Sequence, residues 1–261
     1  MKRGLIVYNE IDRERNIWFI AKLLELLNDE SFSLSYVDEK ELINYVSNHE
    51  IDYVIYRARN YQLLEELEKR QIITFNNSLT NKVANDKLLT AFFLKENNIK
   101  NIPTFQNLKS MSFPCVMKSR HGHGGKEVFL LKSPGDATSL NNEYIYQPFI
   151  VNQGDIRVYV LNHQALAAVK RTNHHDFRSN FSLGGEVSLY PLDQELKQVA
   201  TKISHLLDAS FIGVDFLLTK NGYLVNEIED PVGSRMLYQV SDIDIIKLLV
   251  DFIKNRLKAH Q

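Results

Sequence analysis

The sequence predicts an α/β unit of parallel strands followed by an α+β region built largely of antiparallel strands. Three observations lead there. Residues 4–76 alternate short apolar runs with helical patterns. From Phe113 onward strand-like runs follow one another with few helices between them. A last segment, about Ile243–Lys258, carries Ile245, Ile246, Leu249, Phe252 and Ile253 on one helical face.

In the first region the strand candidates are Leu5–Tyr8, Leu34–Val37, Asp52–Tyr56 and Ile72–Phe75, with helices expected over Asn16–Leu27, Glu41–Asn48 and Tyr61–Arg70. Strand–helix alternation at this spacing makes a small parallel sheet with crossover helices. Asn76-Asn77-Ser78 is a turn and cap cluster opening one longer helix, about Thr80–Asn97, and Asn101-Ile102-Pro103 breaks the pattern. Beyond it, Phe113–Ser119, Val128–Lys132 and Tyr144–Phe149 read as strands, then Ile156–Leu161 and Ala165–Arg171 around a hairpin turn at Asn162-His163. A helix over about Asp193–Leu207 precedes the strands Val214–Thr219 and Tyr223–Glu229.

Composition narrows the function classes. With 44% hydrophobic and 24% charged residues the 261-residue chain is ordinary globular protein. A formal net charge of −1 gives no global field toward nucleic acid or an anionic membrane. A single cysteine, Cys115, rules out an internal disulfide and a cysteine-based zinc cluster. The apolar run after the amino terminus stops at Asn9 and Glu10, too short for an export signal, and no stretch approaches the length of a membrane span. The expectation is a cytoplasmic protein acting on small molecules, with no nucleic-acid or membrane partner and a homo-oligomer left open.

Three clusters carry chemistry. The first is the glycine-rich turn Lys118-Ser-Arg-His-Gly-His-Gly-Gly-Lys-Glu-Val128. Backbone amides in such a turn can approach a polyphosphate, and neighbouring lysines add charge. It is not a Walker loop, because Glu127 stands where Ser or Thr should follow Gly125-Lys126, and it is not a dinucleotide fingerprint. The second is acidic: Asp215 on one strand, Glu227 and Glu229 sharing a face of the next, with Leu224, Asn226 and Ile228 turned away. A three-residue loop, Lys220-Asn221-Gly222, would set Asp215 opposite Glu227, whereas a two-residue loop would put it on the other face. Three clustered carboxylates call for a cation, and hard oxygens suit Mg²⁺. The plainer alternative is a solvated strand face, against which stands the apolar setting of Asp215. The third cluster holds Asp155 and Arg157, then Lys170-Arg171, Asp176-Phe-Arg178-Ser-Asn180 and Gly184-Gly185, where convergent arginines could stabilise a transferring phosphoryl group. Any one of these arginines alone reads better as a surface salt bridge. Four histidines, His121, His123, His174 and His175, fall in loops, which disfavours zinc.

Taken in order, from about Asn81 to Tyr238, these segments resemble the ATP-grasp superfamily, and within it the RimK-like carboxylate–amine ligases. Asn85-Asp86-Lys87-Leu88 with Ile102-Pro103 is similar to a segment whose lysine contacts ATP phosphate, which implies that role for Lys87. Pro114–Lys118 resembles the strand bearing the second ATP lysine, here Lys118, ahead of the glycine loop with Gly122, Gly124 and Gly125. Tyr144–Ile150 is similar to the hinge that holds adenine, implying Gln147, Phe149 and Ile150 there. Asp155-Ile-Arg157 matches a motif whose aspartate lies near the ribose, and the segment through Arg178 and Asn180 is similar to a further family signature. Asp215, Glu227 and Glu229 fall where family metal ligands occur. Two departures stand out. Pro148 replaces the hinge glutamate, and the terminal metal motif reads Glu-Ile-Glu, with Glu229 where an asparagine is usual, a change compatible with Mg²⁺ or Mn²⁺. The segment Asp230–Arg235 also departs from the family continuation, which makes Arg235 a candidate for a substrate carboxylate.

The resemblance thus implies an ATP-grasp fold behind an N-terminal α/β domain, with divisions at 1–79 and 80–261, a lid over about 108–150 and a catalytic part over about 151–261. It implies ATP and Mg²⁺ as cofactors, and small-molecule or peptide carboxylates and amines as substrates. Lys87 and Lys118 would hold phosphates under the loop 121–127. The carboxylate would attack the γ-phosphate and an amine would displace the acyl phosphate, with Arg157, Arg178 and Arg235 stabilising charge. Arg57 and Arg59, ending the third strand, could equally reach substrate or face solvent. A phosphotransferase and a nucleotide-binding regulator without turnover are the alternatives.

Overall fold

The computed structural model describes residues 1–125, 127–137, 143–173 and 186–259. The first region is β1 (Lys2–Tyr8), α1 (Glu10–Arg15), α2 (Ile17–Leu27), β2 (Phe32–Asp38), α3 (Leu42–Asn48), β3 (Tyr53–Tyr56), α4 (Tyr61–Lys69) and β4 (Ile73–Phe75). Its strands form a parallel sheet in the order β2-β1-β3-β4. Alternation along β1 sends Ile6 and Tyr8 to one core cluster and Leu5 and Val7 to another, so both faces of the sheet are buried. The short α1, capped by the Asn9 side chain on the Asp12 amide, lies ahead of the expected first helix.

Gly4 of β1 is required by close packing. A Cβ there would stand 2.0 Å from Cζ of Tyr53, a fully buried ring. Gly4→Ala is therefore expected to destabilise the fold by about 1–3 kcal/mol, the usual cost of overpacking, read as a lower urea midpoint.

The helix expected over Thr80–Asn97 is two helices, α5 (Ser78–Ala84) and α6 (Lys87–Glu96). Asp86 breaks it: its backbone is extended, and its carboxylate accepts from the amides of Leu88 and Leu89 as the cap of α6. A short acidic side chain at a helix start satisfies otherwise orphaned N–H groups and favours the positive end of the helix dipole.

Next come β5 (Cys115–Ser119), β6 (Val128–Leu131) and β7 (Tyr144–Pro148), an antiparallel sheet in the order β6-β5-β7. Then β8 (Asp155–Leu161), β9 (Gln164–Thr172), β10 (Glu186–Tyr190), α7 (Gln194–Leu207), β11 (Phe211–Thr219) and β12 (Gly222–Glu229) make a five-stranded sheet in the order β10-β9-β8-β11-β12. The helices α8 (Arg235–Val240) and α9 (Ile245–Ala259) follow. The β8–β9 turn is the expected Asn162-His163, both residues with positive φ.

One face of the five-stranded sheet rests on α7, through Ile156, Val158 and Val160 of β8 and Ile212, Val214 and Phe216 of β11. The opposite face changes character along its strands. Tyr159, Leu161, Ala167 and Val169 join a large core with α2, α9 and the parallel sheet. Asp155, Arg157, Arg171 and Asp215 share their strands' alternation but carry charge, and this marks the site. Among the described residues no helix is long and apolar enough to cross a membrane.

Candidate active site

A cleft of about 880 Å³, counting the solvent at its mouth, opens between the three-stranded and five-stranded sheets. Its apolar lining includes Ile102, Val116, Val128, Phe149, Ile150 and Leu217. Its polar lining includes Lys87, Lys118, Asp155, Arg171, Asp215, Asn226 and Glu227, with Gly122, Gly124 and Gly125 of the glycine loop. Gln147 and Pro148 also line it. The Gln147 amide donates to Thr104 Oγ1 at 2.9 Å, and the Phe149 N–H donates to the Pro114 carbonyl at 3.3 Å.

The charged groups are interlocked. Arg157 donates from Nε to Asp215 Oδ1 and from Nη2 to Oδ2, both at 2.7 Å, and its Nη2 also reaches Glu229 Oε1 at 2.6 Å. Arg171 grips both oxygens of Asp155 and donates to Asp215 Oδ2 at 2.6 Å. From the facing sheet, Lys118 Nζ donates to Asn226 Oδ1 at 2.9 Å and stands 3.6 Å from Glu227 Oε1. Lys87 Nζ donates to the Gly122 carbonyl. Burial opposes the charge of Asp215, but Arg157 and Arg171 outweigh it and hold the carboxyl down at about 2. Burial likewise opposes the charge of Glu227, and Lys87 and Lys118 together hold it below the usual carboxylate range. Lys118 is pushed down by burial, against the pull of Glu227.

Asp215 does pair with Glu227, but the three-residue loop expected from the sequence is not the reason. Thr219 pairs with Gly222, leaving a two-residue loop, and a β-bulge between Asp215 and Phe216 restores the parity. The bulge also turns Asn226, expected on the far face, into the cleft, where it meets Lys118.

Among the described residues no three His, Cys, Asp or Glu side chains are grouped to hold one metal ion. The three carboxylates expected to do so are engaged by cations instead. Their chemistry nevertheless fits magnesium, which is commonly bound by one or two carboxylates together with phosphate oxygens. Glu227 and Glu229 lie on one strand, their side chains 27% and 33% exposed. Asp215 accepts three hydrogen bonds, which leaves about one of its four lone-pair positions.

The RimK-like ATP-grasp domain model matches residues 80–253. The chain belongs to the RimK-like ATP-grasp family. Membership places it among ATP-dependent ligases, as the motifs led us to expect. An uncharacterized protein of Mycoplasma genitalium is 32% identical over 98% of this chain and 94% of its own length. A probable alpha-L-glutamate ligase of Haemophilus influenzae is 31% identical, over 55% of this chain and 51% of that protein. Two solved structures share the fold: a D-alanine–D-alanine ligase of Bacillus anthracis complexed with ATP (TM-score 0.73, 14% identity, 100% of both chains) and the ATP-grasp ligase PsnB with Mg and ADP (TM-score 0.71, 14% identity, 97% and 98%).

In this RimK-like protein the cleft is lined by eleven of the residues given binding or metal roles from the sequence: Lys87, Lys118, Gly122, Gly124, Gly125, Gln147, Phe149, Ile150, Asp155, Asp215 and Glu227. Arg157 adjoins it through its bonds to Asp215, and Glu229 through its bond to Arg157. Arg235 is exposed at the first turn of α8 and does not line the cleft. Arg178 and Asn180 lie outside the described residues. Of the two arginines ending β3, Arg57 is buried and committed, donating to Tyr8 Oη at 3.0 Å and to the Val232 carbonyl at 2.7 Å. Arg59 pairs with Asp12. Arg171, offered from the sequence only as one of several convergent arginines, stands directly opposite Asp155 across β8 and β9. Asn226, expected to face away, and His123, named only against zinc, also line the cleft.

Proposed function

We propose that this chain is an ATP- and Mg²⁺-dependent carboxylate–amine ligase that forms an amide or peptide bond through an acyl phosphate. The observation that carries the reading is the cleft's pair of lysines from different elements, Lys87 of α6 and Lys118 of β5, both acting on Glu227 beside a glycine loop. Such a group offers two cations and backbone amides to a polyphosphate, next to apolar walls that suit a purine.

In this reading Lys87 and Lys118 bind the phosphates, and Gln147, Phe149 and Ile150 border the base. Asp155 lies beside the ribose. Glu227 and Glu229 with Asp215 would hold magnesium, for which Mn²⁺ could substitute, and the ion would supply positive charge to the phosphates. Arg157, fixed by Asp215 and Glu229, presents a preorganised cation to the phosphoryl group, so little reorganisation is needed during transfer. A substrate carboxylate oxygen bonds to the γ-phosphorus as ADP leaves. The amine nitrogen then bonds to the acyl carbon, phosphate departs and the nitrogen gives up a proton. Arg235 and Arg178 are candidates for the substrate carboxylate and the acyl phosphate. The division at residues 79 and 80, with a lid over about 108–150, belongs to the same reading, as does action on small-molecule or peptide substrates.

Calorimetry with ATP and Mg²⁺ should show binding that Glu227→Ala weakens. A panel of carboxylate–amine pairs should then release ADP and phosphate with a new amide. ADP accompanied by a stable phosphorylated product would instead make the protein a phosphotransferase. Tight ATP binding with no ADP from any pair would make it a nucleotide-responsive regulator.

A further inference from the structure

Residues 85–87 and 120–122 are stapled together beside the cleft. Arg120 donates from Nε to Asp86 Oδ1 at 2.7 Å and from Nη2 to Oδ2 at 2.5 Å. The Lys87 N–H donates to the Arg120 carbonyl at 3.1 Å, and Lys87 Nζ to the Gly122 carbonyl. His121 Nδ1 lies 3.1 Å from the Asn85 carbonyl. On its other side the Arg120 N–H donates to the Glu143 carbonyl at 2.6 Å, just before β7. The root of the glycine loop is thereby tied to the first residues of α6.

The carboxylate at the centre of this staple is held both by the helix amides and by Arg120. Asp86 Oδ1 accepts from Leu88, Leu89 and Arg120, which fills its lone pairs, and Oδ2 accepts from Arg120 alone. Burial opposes its charge, but Arg120 and the helix amides hold the carboxyl below its ordinary range. Bidentate pairing between a planar guanidinium and a carboxylate fixes orientation as well as distance, which a lysine in the same place would not. Lys87 follows Asp86 directly and opens α6.

We propose that Asp86 and Arg120 are positioning residues that lock Lys87 and the glycine loop into one unit, so that both meet the nucleotide's phosphates in register. The proposal rests on the ATP reading above. It assigns to the pair the phosphate end of the ligand and not the base, because its links run to Lys87, Gly122 and the loop root. Neither side chain lines the cleft.

The test is calorimetric binding of ATP and of adenosine, each with Mg²⁺, to the native protein, Arg120→Ala, Arg120→Lys and Asp86→Asn. Asparagine keeps the helix cap while losing the ionic grip, so this variant should fold even if removal of Arg120 proves disruptive. Arg120→Ala should weaken ATP by about tenfold, the scale of one lost charge-assisted contact, and leave adenosine unchanged. Asp86→Asn should follow the same pattern, and Arg120→Lys should not restore ATP affinity. A parallel loss for both ligands, or no loss for either, would overturn the proposal. Native protein that binds neither ligand would overturn the ATP reading together with it, whereas native binding unaffected by the substitutions would overturn the clamp alone.

Discussion

Asp215→Ala is expected to destabilise the fold by about 3–5 kcal/mol, the scale on which removing one partner of a buried ion pair acts. The carboxylate sits between Arg157 and Arg171, and all three side chains are less than 10% exposed. Its loss strands two guanidiniums with only Asp155 and Glu229 for company. The urea midpoint should fall with the slope unchanged, since the extent of burial is otherwise the same. Asp215→Asn, which retains the shape, should lose less. The pH dependence carries a defined sign. The folded carboxyl titrates at about 2, below its ordinary value of 3.8, so its stabilisation is complete above the unfolded value and is lost as pH falls through about 2. The native protein should therefore hold this contribution throughout neutral and mildly acidic conditions, and the alanine variant should lack this part of the acid transition.

Lys118→Ala should cost about a hundredfold in ATP affinity while leaving the fold standing, because truncating one member of a buried charged pair commonly removes several kcal/mol of binding. Lys118 reaches across from the three-stranded sheet to Asn226 and Glu227 of the five-stranded sheet. Without it, Glu227 keeps only Lys87 as a nearby lysine, so its carboxyl should titrate higher than in the native protein. Calorimetry at several pH values would detect both changes, the weaker ATP isotherm and the shifted pH dependence of binding. Undiminished ATP binding would mean that the phosphates lie elsewhere in the cleft or outside it.

Much of this arrangement is legible in the chain, and the illegible part has a common cause. Apolar alternation locates β8, β11 and β12, and the shared face of Glu227 and Glu229 follows from the period of a strand. Loop arithmetic, however, fails in two hairpins in the same way. Continued without interruption from Thr219 opposite Gly222, the pairing would put Asn226 opposite Asp215, and from Leu161 opposite Gln164 it would put Lys170 opposite Asp155. A one-residue bulge in each ladder substitutes Glu227 and Arg171. Bulges re-aim side chains beside functional sites, and nothing in the local residue types announces them. The break at Asp86 is a different case. Its signal, Asn85-Asp86 inside an apolar helical pattern, is present in the sequence, but helical periodicity on both sides hides it.

The shared core of the parallel sheet and α9 bears on how the chain is made. Phe75 meets Phe252 edge to face, and Ile6, Phe19 and Leu23 lie in one cluster with Ile246, Leu249 and Ile253. During synthesis the first sheet must wait for α9, on the order of ten to thirty seconds at about 5–20 residues per second. Throughout that interval one of its faces has only α2 for cover, while the other can already close over α3 and α4. The nascent chain is thus a half-covered sheet, and the final helix acts as the seal that ends its exposure to other chains.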